Sequence, residues 1–386
     1  MRIALILVGV TCERFGAAKA RLQLKVVSAR QAAAALLAIC MGFVSSPVAI
    51  AGESTMPEDF VERVTPELAA KYKYIEDGEF TEQLNVPTYE WMPANGPPRA
   101  IVLAVHGLTL HGRRYRVLAR MLAANNVGVV SLDMRGFGRC HFDPNRRFSS
   151  ADDDKTKVNH EKSYADIVRL AQLIKQKYRD DKLLLIGESL GCTFCVRLAG
   201  EHPELTDAIL LSAPAVRVNS KMYIGHGTVA RGIKAVFTPG HDINLHSFFE
   251  YLVSNNPKVS KEMIDDPLIL KELSLKALLS TDKFVSRTAR WGKSVSDKMP
   301  VLILQGSRDS CVSPKKVTDL LNAMPSNDQT LAWRGNYGHL QLETVFMRTT
   351  IIDAVVNFLR NHSRENIPEL KAFQQQIVDA GGTLAE

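Results

Sequence analysis

Three residues have the types and the spacing for nucleophilic acyl chemistry. Ser189 lies in Gly187-Glu188-Ser189-Leu190-Gly191, a G-x-S-x-G pentapeptide. A serine hydroxyl at its ordinary pKa is a poor nucleophile and needs a base oriented by an acid. Where such a pentapeptide joins a strand to a helix, the acid follows in the chain and the histidine comes last. Asp309 follows the apolar run Val301-Leu302-Ile303-Leu304, in Gln305-Gly306-Ser307-Arg308-Asp309. His339 comes thirty residues later, in Asn336-Tyr337-Gly338-His339-Leu340. His362 is too far on, and Asp282 and Asp297 have no strand before them. The set predicts acyl transfer to water. His339 takes the Ser189 proton, Asp309 orients the ring, and the acyl-enzyme is then hydrolysed by a water that His339 activates. The competing readings are a plain strand-to-helix turn with a capping serine, and a solvated turn carboxylate at Asp309.

Such chemistry also needs donors for the developing oxyanion. His106-Gly107-Leu108 closes an apolar run at residues 100–105. The backbone N–H groups of Leu108 and Leu190 are expected to converge there. His106 reads as a structural histidine that hydrogen-bonds the loop. Cys192 and Cys195 form a C-x-x-C, but within a helical pattern and with no second pair at metal spacing, so they read as packing residues. His226, His241 and His246 lack a neighbouring Cys or carboxylate set, and no metal or cofactor is expected. Arg113, Arg114 and Arg116 could face an anionic substrate, but such clusters are more often a solvated helix face.

The elements that must position these groups alternate along the chain. Strands are predicted at residues 84–91, 100–105, 127–132, 183–186, 208–211, 301–304 and 330–333. Helices are predicted at 113–124, 160–178, 192–199 and 347–359. Short, wholly apolar strands suit a parallel sheet covered on both faces. Their alternation with helices predicts an α/β fold, a mostly parallel doubly wound sheet of about eight strands. The rhythm breaks over 216–298, which reads as a helical insertion. The expected organisation is a leader at 1–51, core at 52–215 and 299–362, the insertion between them, and a polar extension at 363–386.

Composition supports an ordinary globular chain: 386 residues, 46% hydrophobic and 23% charged. Five of the seven net positive charges fall in the first 51 residues, so a nucleic-acid partner gains no support. The basic start, the apolar stretch from Ala32 to Val44 and the Ala49-Ile50-Ala51 pattern read as a cleaved secretory signal, hence an exported protein, periplasmic or secreted. The alternative is an uncleaved anchor over 31–52. Export would permit a disulfide among Cys140, Cys192, Cys195 and Cys311, without choosing a pair.

Several stretches carry a family resemblance. They are His106-Gly107-Leu108-Thr109-Leu110-His111 with Arg114-Tyr115, Asp133-Met134-Arg135-Gly136-Phe137-Gly138, the Ser189 pentapeptide, and Ser212-Ala213-Pro214. Over roughly residues 85–360 the chain resembles the monoacylglycerol lipase / lysophospholipase, or serine-aminopeptidase-like, branch of the α/β-hydrolase superfamily. The resemblance implies Ser189 as nucleophile, Asp309 as acid, His339 as base, and Leu108 and Leu190 as oxyanion donors. It also implies a cap after Pro214 over an acyl pocket, a small acyl ester as substrate, and transient contact of the cap with a lipid surface. The chain departs from the pattern at Thr109, where the family often has Gly, and at Arg139 after the Asp133 turn. Other functions stay open: a peptidase acting on free amino termini, which needs acids near the pocket, an acyltransferase, which has the same triad but excludes water, and a non-catalytic binding module.

Overall fold

The structure, a computed structural model, describes residues 65–217 and 242–363. The expected leader, nearly all of the polar extension, and residues 218–241 of the insertion, with His226 and His241, lie outside the described residues. Ten strands are described: β1 (Tyr72–Glu76), β2 (Thr88–Pro93), β3 (Ala100–Val105), β4 (Val127–Leu132), β5 (Lys182–Glu188), β6 (Ala208–Ser212), β7 (Asp242–Asn244), β8 (Glu272–Ser274), β9 (Val301–Gly306) and β10 (Gln329–Arg334). Eight form one sheet in the order β1-β2-β4-β3-β5-β6-β9-β10. β2 runs antiparallel to β1 and to β4, and all other neighbours are parallel.

Strand side chains alternate between the two faces, and both faces here are covered. In β3, Ile101, Leu103 and Val105 join one buried cluster, while Ala100, Val102 and Ala104 join the other. The first cluster takes in Ile167 and Leu170 of helix His160–Lys177, Phe194 and Leu198 of helix Leu190–Glu201, and Val317 and Leu320 of helix Pro314–Ala323. The second takes in Leu118 and Leu122 of helix Arg116–Ala123, with Ile351 and Val355 of helix Thr349–His362. Each fully buried aliphatic side chain contributes about 1.5–3 kcal/mol, so both layers are strongly held to the sheet.

Two differences from the sequence reading have local causes. Residues 84–91 do not begin as a strand. Helix Glu79–Leu84 ends at Asn85, whose left-handed φ of 53° turns the chain before β2 begins at Thr88. β1 was not anticipated, because this edge strand reads Tyr-Lys-Tyr-Ile-Glu and is largely solvent-facing, with no apolar run.

Between β6 and β9 the described residues form helices His246–Tyr251, Pro257–Asp265, Leu275–Val285 and Thr288–Gly292. They also form a two-stranded antiparallel ribbon, β7 with β8, each strand only three residues long with a single apolar residue, Ile243 or buried Leu273, too short to give a strand signal. No helix among the described residues is long and apolar enough to cross a membrane.

Candidate active site

The turn between β5 and helix Leu190–Glu201 is a single residue, Ser189, with φ 54° and ψ −115°. A non-glycine residue held at positive φ costs about 1–2 kcal/mol. The surroundings fix it there. Ser189 N donates to Ser212 O at 2.9 Å, and Ser189 O accepts from Cys192 N and Ala215 N. The flanking glycines are sterically required. A Cβ on Gly187 would stand 2.6 Å from Cys192 N, and one on Gly191 would stand 1.9 Å from Val105 O.

Asp309 follows β9, and His339 follows β10. His339 Nδ1 donates to Asp309 Oδ2 at 2.8 Å. The same oxygen accepts from Gln305 Nε2 at 3.1 Å, and Oδ1 accepts from Cys311 N at 2.9 Å and Val312 N at 3.0 Å. Burial alone would raise the Asp309 pKa. The His339 charge and hydrogen bond, with those from Val312 N and Gln305, outweigh burial and hold it below the usual carboxylate value. Burial alone would lower His339. The Asp309 charge and hydrogen bond, with the Glu188 charge, outweigh it and raise His339 above the ordinary imidazole value. With Nδ1 engaged, Nε2 is the nitrogen left to accept a proton.

Ser189, His339, Leu108 and Leu190 line one cavity. Asp309 is buried behind the imidazole. The N–H groups of Leu108 and Leu190 donate to no other described residue, so two free donors accompany the serine. Apart from Ser189, Thr281 and His339, the described lining residues are apolar side chains, Gly107 and the Cys311 thiol, with no carboxylate among them. The insertion supplies Phe248, Phe249, Val253, Thr281 and Val285 to that lining. It also braces the loops at the site. Val253 O accepts from His339 N at 3.2 Å and Leu340 N at 3.1 Å, and Leu270 N donates to Thr109 O at 3.0 Å.

Thr109, where the sequence departs from glycine, has φ 69° and is fully buried. Its Oγ1 donates to Leu108 O at 2.5 Å. His106 is neutral and structural. Nε2 accepts from Met134 N at 2.9 Å, so the proton is on Nδ1, which donates to Gly107 O at 2.7 Å. Burial pushes its pKa down to about 3.

The arginine cluster is not a solvated face. Arg114 is only 1% exposed. It donates to Glu343 O at 3.1 and 2.9 Å, to Asp266 Oδ2 at 3.0 Å, and to Glu262. Asp266 also meets His111 Nε2 at 3.1 Å. Glu262 in turn accepts from Thr344 Oγ1 and Val345 N. Arg114 thus ties helix Pro257–Asp265 to the core, while Arg113 pairs with Glu76 at 2.7 Å. The helical register gave no sign that Arg114 points inward under the insertion.

The four described cysteines are free and buried. Burial raises all four thiols, and Cys192 Sγ donates to Gly187 O and Ser212 O, a packing role. Asp309, Cys311 and His339 bring three ligand-type atoms within 4.8 Å of one another. Asp309 and His339 are bonded to each other, however, and Cys311 Sγ donates to Leu252 O at 3.2 Å. His246, the described member of the histidine trio, starts a short helix and belongs to no such group.

Sequence reasoning missed Gln305, Glu343 and the lining residues of the insertion. Glu188 stood in the open as the first variable residue of the pentapeptide. Its carboxyl accepts from Ser212 Oγ and Gln341 N at 2.7 Å, from Leu342 N at 3.0 Å and from Glu343 N at 2.9 Å.

A strand–serine–helix elbow on an eight-stranded, mostly parallel sheet covered by helices on both faces defines an α/β-hydrolase. The chain belongs to the serine aminopeptidase (S33) family, whose profile matches residues 96–343. Monoglyceride lipase of Mus musculus is 24% identical over 268 residues, 69% of this chain and 83% of that protein. The Homo sapiens monoglyceride lipase is 25% identical over 257 residues, 66% and 79%. Among solved structures, a monoacylglycerol lipase of Paleococcus ferrophilus is 25% identical with a TM-score of 0.56, covering 72% of this chain and 99% of that one. A Saccharomyces cerevisiae monoglyceride lipase bound to a substrate analogue, 18% identical with a TM-score of 0.60, covers 82% and 99% and shares the fold. The family marks a hydrolase, and the relatives it resembles are lipases.

Proposed function

We propose that the protein is a serine ester hydrolase acting on monoacylglycerol or lysophospholipid-like acyl esters. The observation that carries this reading is the cavity lining, apolar except at Ser189, Thr281 and His339. An acyl chain suits such a slot. The ammonium of a peptide amino terminus needs a carboxylate beside it, and the described lining offers none. His339 Nε2 removes the proton from Ser189 Oγ as the oxygen attacks the ester carbonyl. Leu108 N–H and Leu190 N–H receive the oxyanion, an effect worth about 3–4 kcal/mol per donor. Asp309 keeps the proton on Nδ1 and stabilises the imidazolium. His339 then protonates the departing alcohol and activates water against the acyl-enzyme. The basic and apolar leader supports an exported enzyme, and the acyl pocket supports transient contact with a lipid surface.

Initial rates on p-nitrophenyl esters of increasing acyl length test the reading, with Ser189→Ala alongside. Activity should rise with chain length, and kcat should fall about 10⁶-fold in the variant. Unchanged hydrolysis in Ser189→Ala would overturn the mechanism. Activity on aminoacyl amides in place of esters would favour the peptidase, and specific ligand binding without turnover would favour a binding module.

A further inference from the structure

Two carboxyl groups lie together beneath the site, and the mechanism uses neither. Both Glu188 and Glu343 are fully buried. Among the described residues, every hydrogen bond to the Glu188 carboxyl comes from a donor: Ser212 Oγ and the N–H groups of Gln341, Leu342 and Glu343. That is the environment of an ionised carboxylate. Glu343 is differently placed. Its Oε2 accepts from Gly107 N at 2.9 Å, and its Oε1 has no partner among the described residues. Glu343 N–H itself donates to Glu188, so the two residues are neighbours. Two like charges in one apolar interior cannot both persist, and one carboxyl keeps a proton. The asymmetry of partners gives the charge to Glu188 and the proton to Glu343. Burial raises both groups, Glu343 the further, with the Glu188 charge adding to it.

The pair sits where three loops meet. Glu188 precedes Ser189. The three amides it holds are the second, third and fourth residues after His339. Glu343 holds the amide immediately before Leu108. The other titratable or charged groups around the pair are Tyr115 from the turn Gly112–Tyr115, Cys192 and Cys195 from helix Leu190–Glu201, Arg114, and His339. Burial keeps the phenol and both thiols neutral. Arg114 is bound by Asp266 and Glu262. Glu188 is therefore the carboxylate of this buried group that acts on His339 in addition to Asp309.

We infer that Glu188 and Glu343 form a one-proton pair, in which ionised Glu188 is a positioning residue that holds the His339 loop and stabilises its imidazolium, while protonated Glu343 braces the Leu108 loop without adding charge. The inference rests on the reading of His339 as the general base. Its test does not need turnover.

The ring signals of His339 are titrated by NMR in the full-length protein, with His339→Gln to assign them, and in Glu188→Gln and Glu343→Gln. Glu188→Gln should move the titration to lower pH, because an anion near the imidazolium is gone. Glu343→Gln replaces one neutral group by another and should leave it in place. An unmoved titration in Glu188→Gln, or a shift in Glu343→Gln, overturns the assignment. If Glu188→Gln does not fold, Glu343→Gln decides alone: an unmoved titration supports the neutral Glu343 and a shift refutes it. In turnover, the acid limb of kcat/KM should follow the ring to lower pH in Glu188→Gln. A total lack of ester hydrolysis by the unmodified protein would defeat the functional reading, and the titration would still judge the pair.

Discussion

The strand ends and the insertion secure their groups by different means. At the strand ends the backbone does most of the holding. Ser189 is pinned through its own N–H and carbonyl, Asp309 by the amides of Cys311 and Val312, and Glu188 by three consecutive amides. The insertion adds side-chain ties to its backbone contacts with the core. Arg114 meets Glu262 and Asp266, Thr193 Oγ1 meets Thr288 Oγ1 at 2.9 Å, and His160 Nε2 meets Thr281 Oγ1 at 2.8 Å. Backbone donors survive substitution of their own residues, whereas a side-chain tie is lost with one mutation. The groups assigned to chemistry therefore stand on the robust part of the molecule. The apolar lining that would choose the substrate stands partly on the breakable one.

That contrast can be tested by variants of decreasing effect. Asp309→Asn should lower kcat about 10⁴-fold with little change in folding, because the amides of Cys311 and Val312 can still bond an amide oxygen. The pH dependence carries a sign. In the unmodified protein Asp309 raises His339, so the acid limb should lie above the ordinary imidazole value. In Asp309→Asn any residual activity should titrate at lower pH. A loss below tenfold would show that Asp309 does not orient the base. Arg114→Met should cost up to about 3–5 kcal/mol, because Glu262 and Asp266 lose their buried cation and keep only Arg116, 3.8 Å from Glu262, and His111, 3.1 Å from Asp266. Denaturant unfolding measures this, and an unchanged midpoint would mean that the insertion does not depend on this tie. Thr109→Gly should change stability by less than about 1 kcal/mol. Relief of the left-handed φ is offset by the freedom glycine adds to the unfolded chain. A loss of several kcal/mol would instead make the Thr109 hydroxyl, bonded to Leu108 O, a main support of its loop.

Legibility in the sequence follows the same division. The inner strands were readable because burial on both faces demands continuous apolar runs such as Leu183 to Ile186 and Val301 to Leu304. Ser189 and Asp309 were readable as candidates because each lies just beyond such a run, and His339 because it comes last in the order serine, acid, histidine, before the closing helix. β1 was not, since an edge strand needs no apolar pattern. Arg114 misled because a helical turn does not reveal which face a later segment will cover. Glu343 gave no signal at all: its burial arises only when the loop after His339 folds under Gly107. The strain at Thr109 was equally hidden, because its left-handed backbone is set by contacts with Leu270 and Leu108.

The carbonyl of Val253 accepts the amides of both His339 and Leu340, and the amide of Leu270 reaches Thr109 beside Leu108. These contacts restrict how the molecule can be recombined. A different segment grafted between β6 and β9 would have to return a carbonyl to the place of Val253 and an amide to the place of Leu270. Without them a chimera would inherit a new specificity pocket together with a slackened base and a slackened loop at Leu108. Specificity and turnover are thus inherited as one package, and the successful graft is the one that copies two backbone positions irrespective of their side chains.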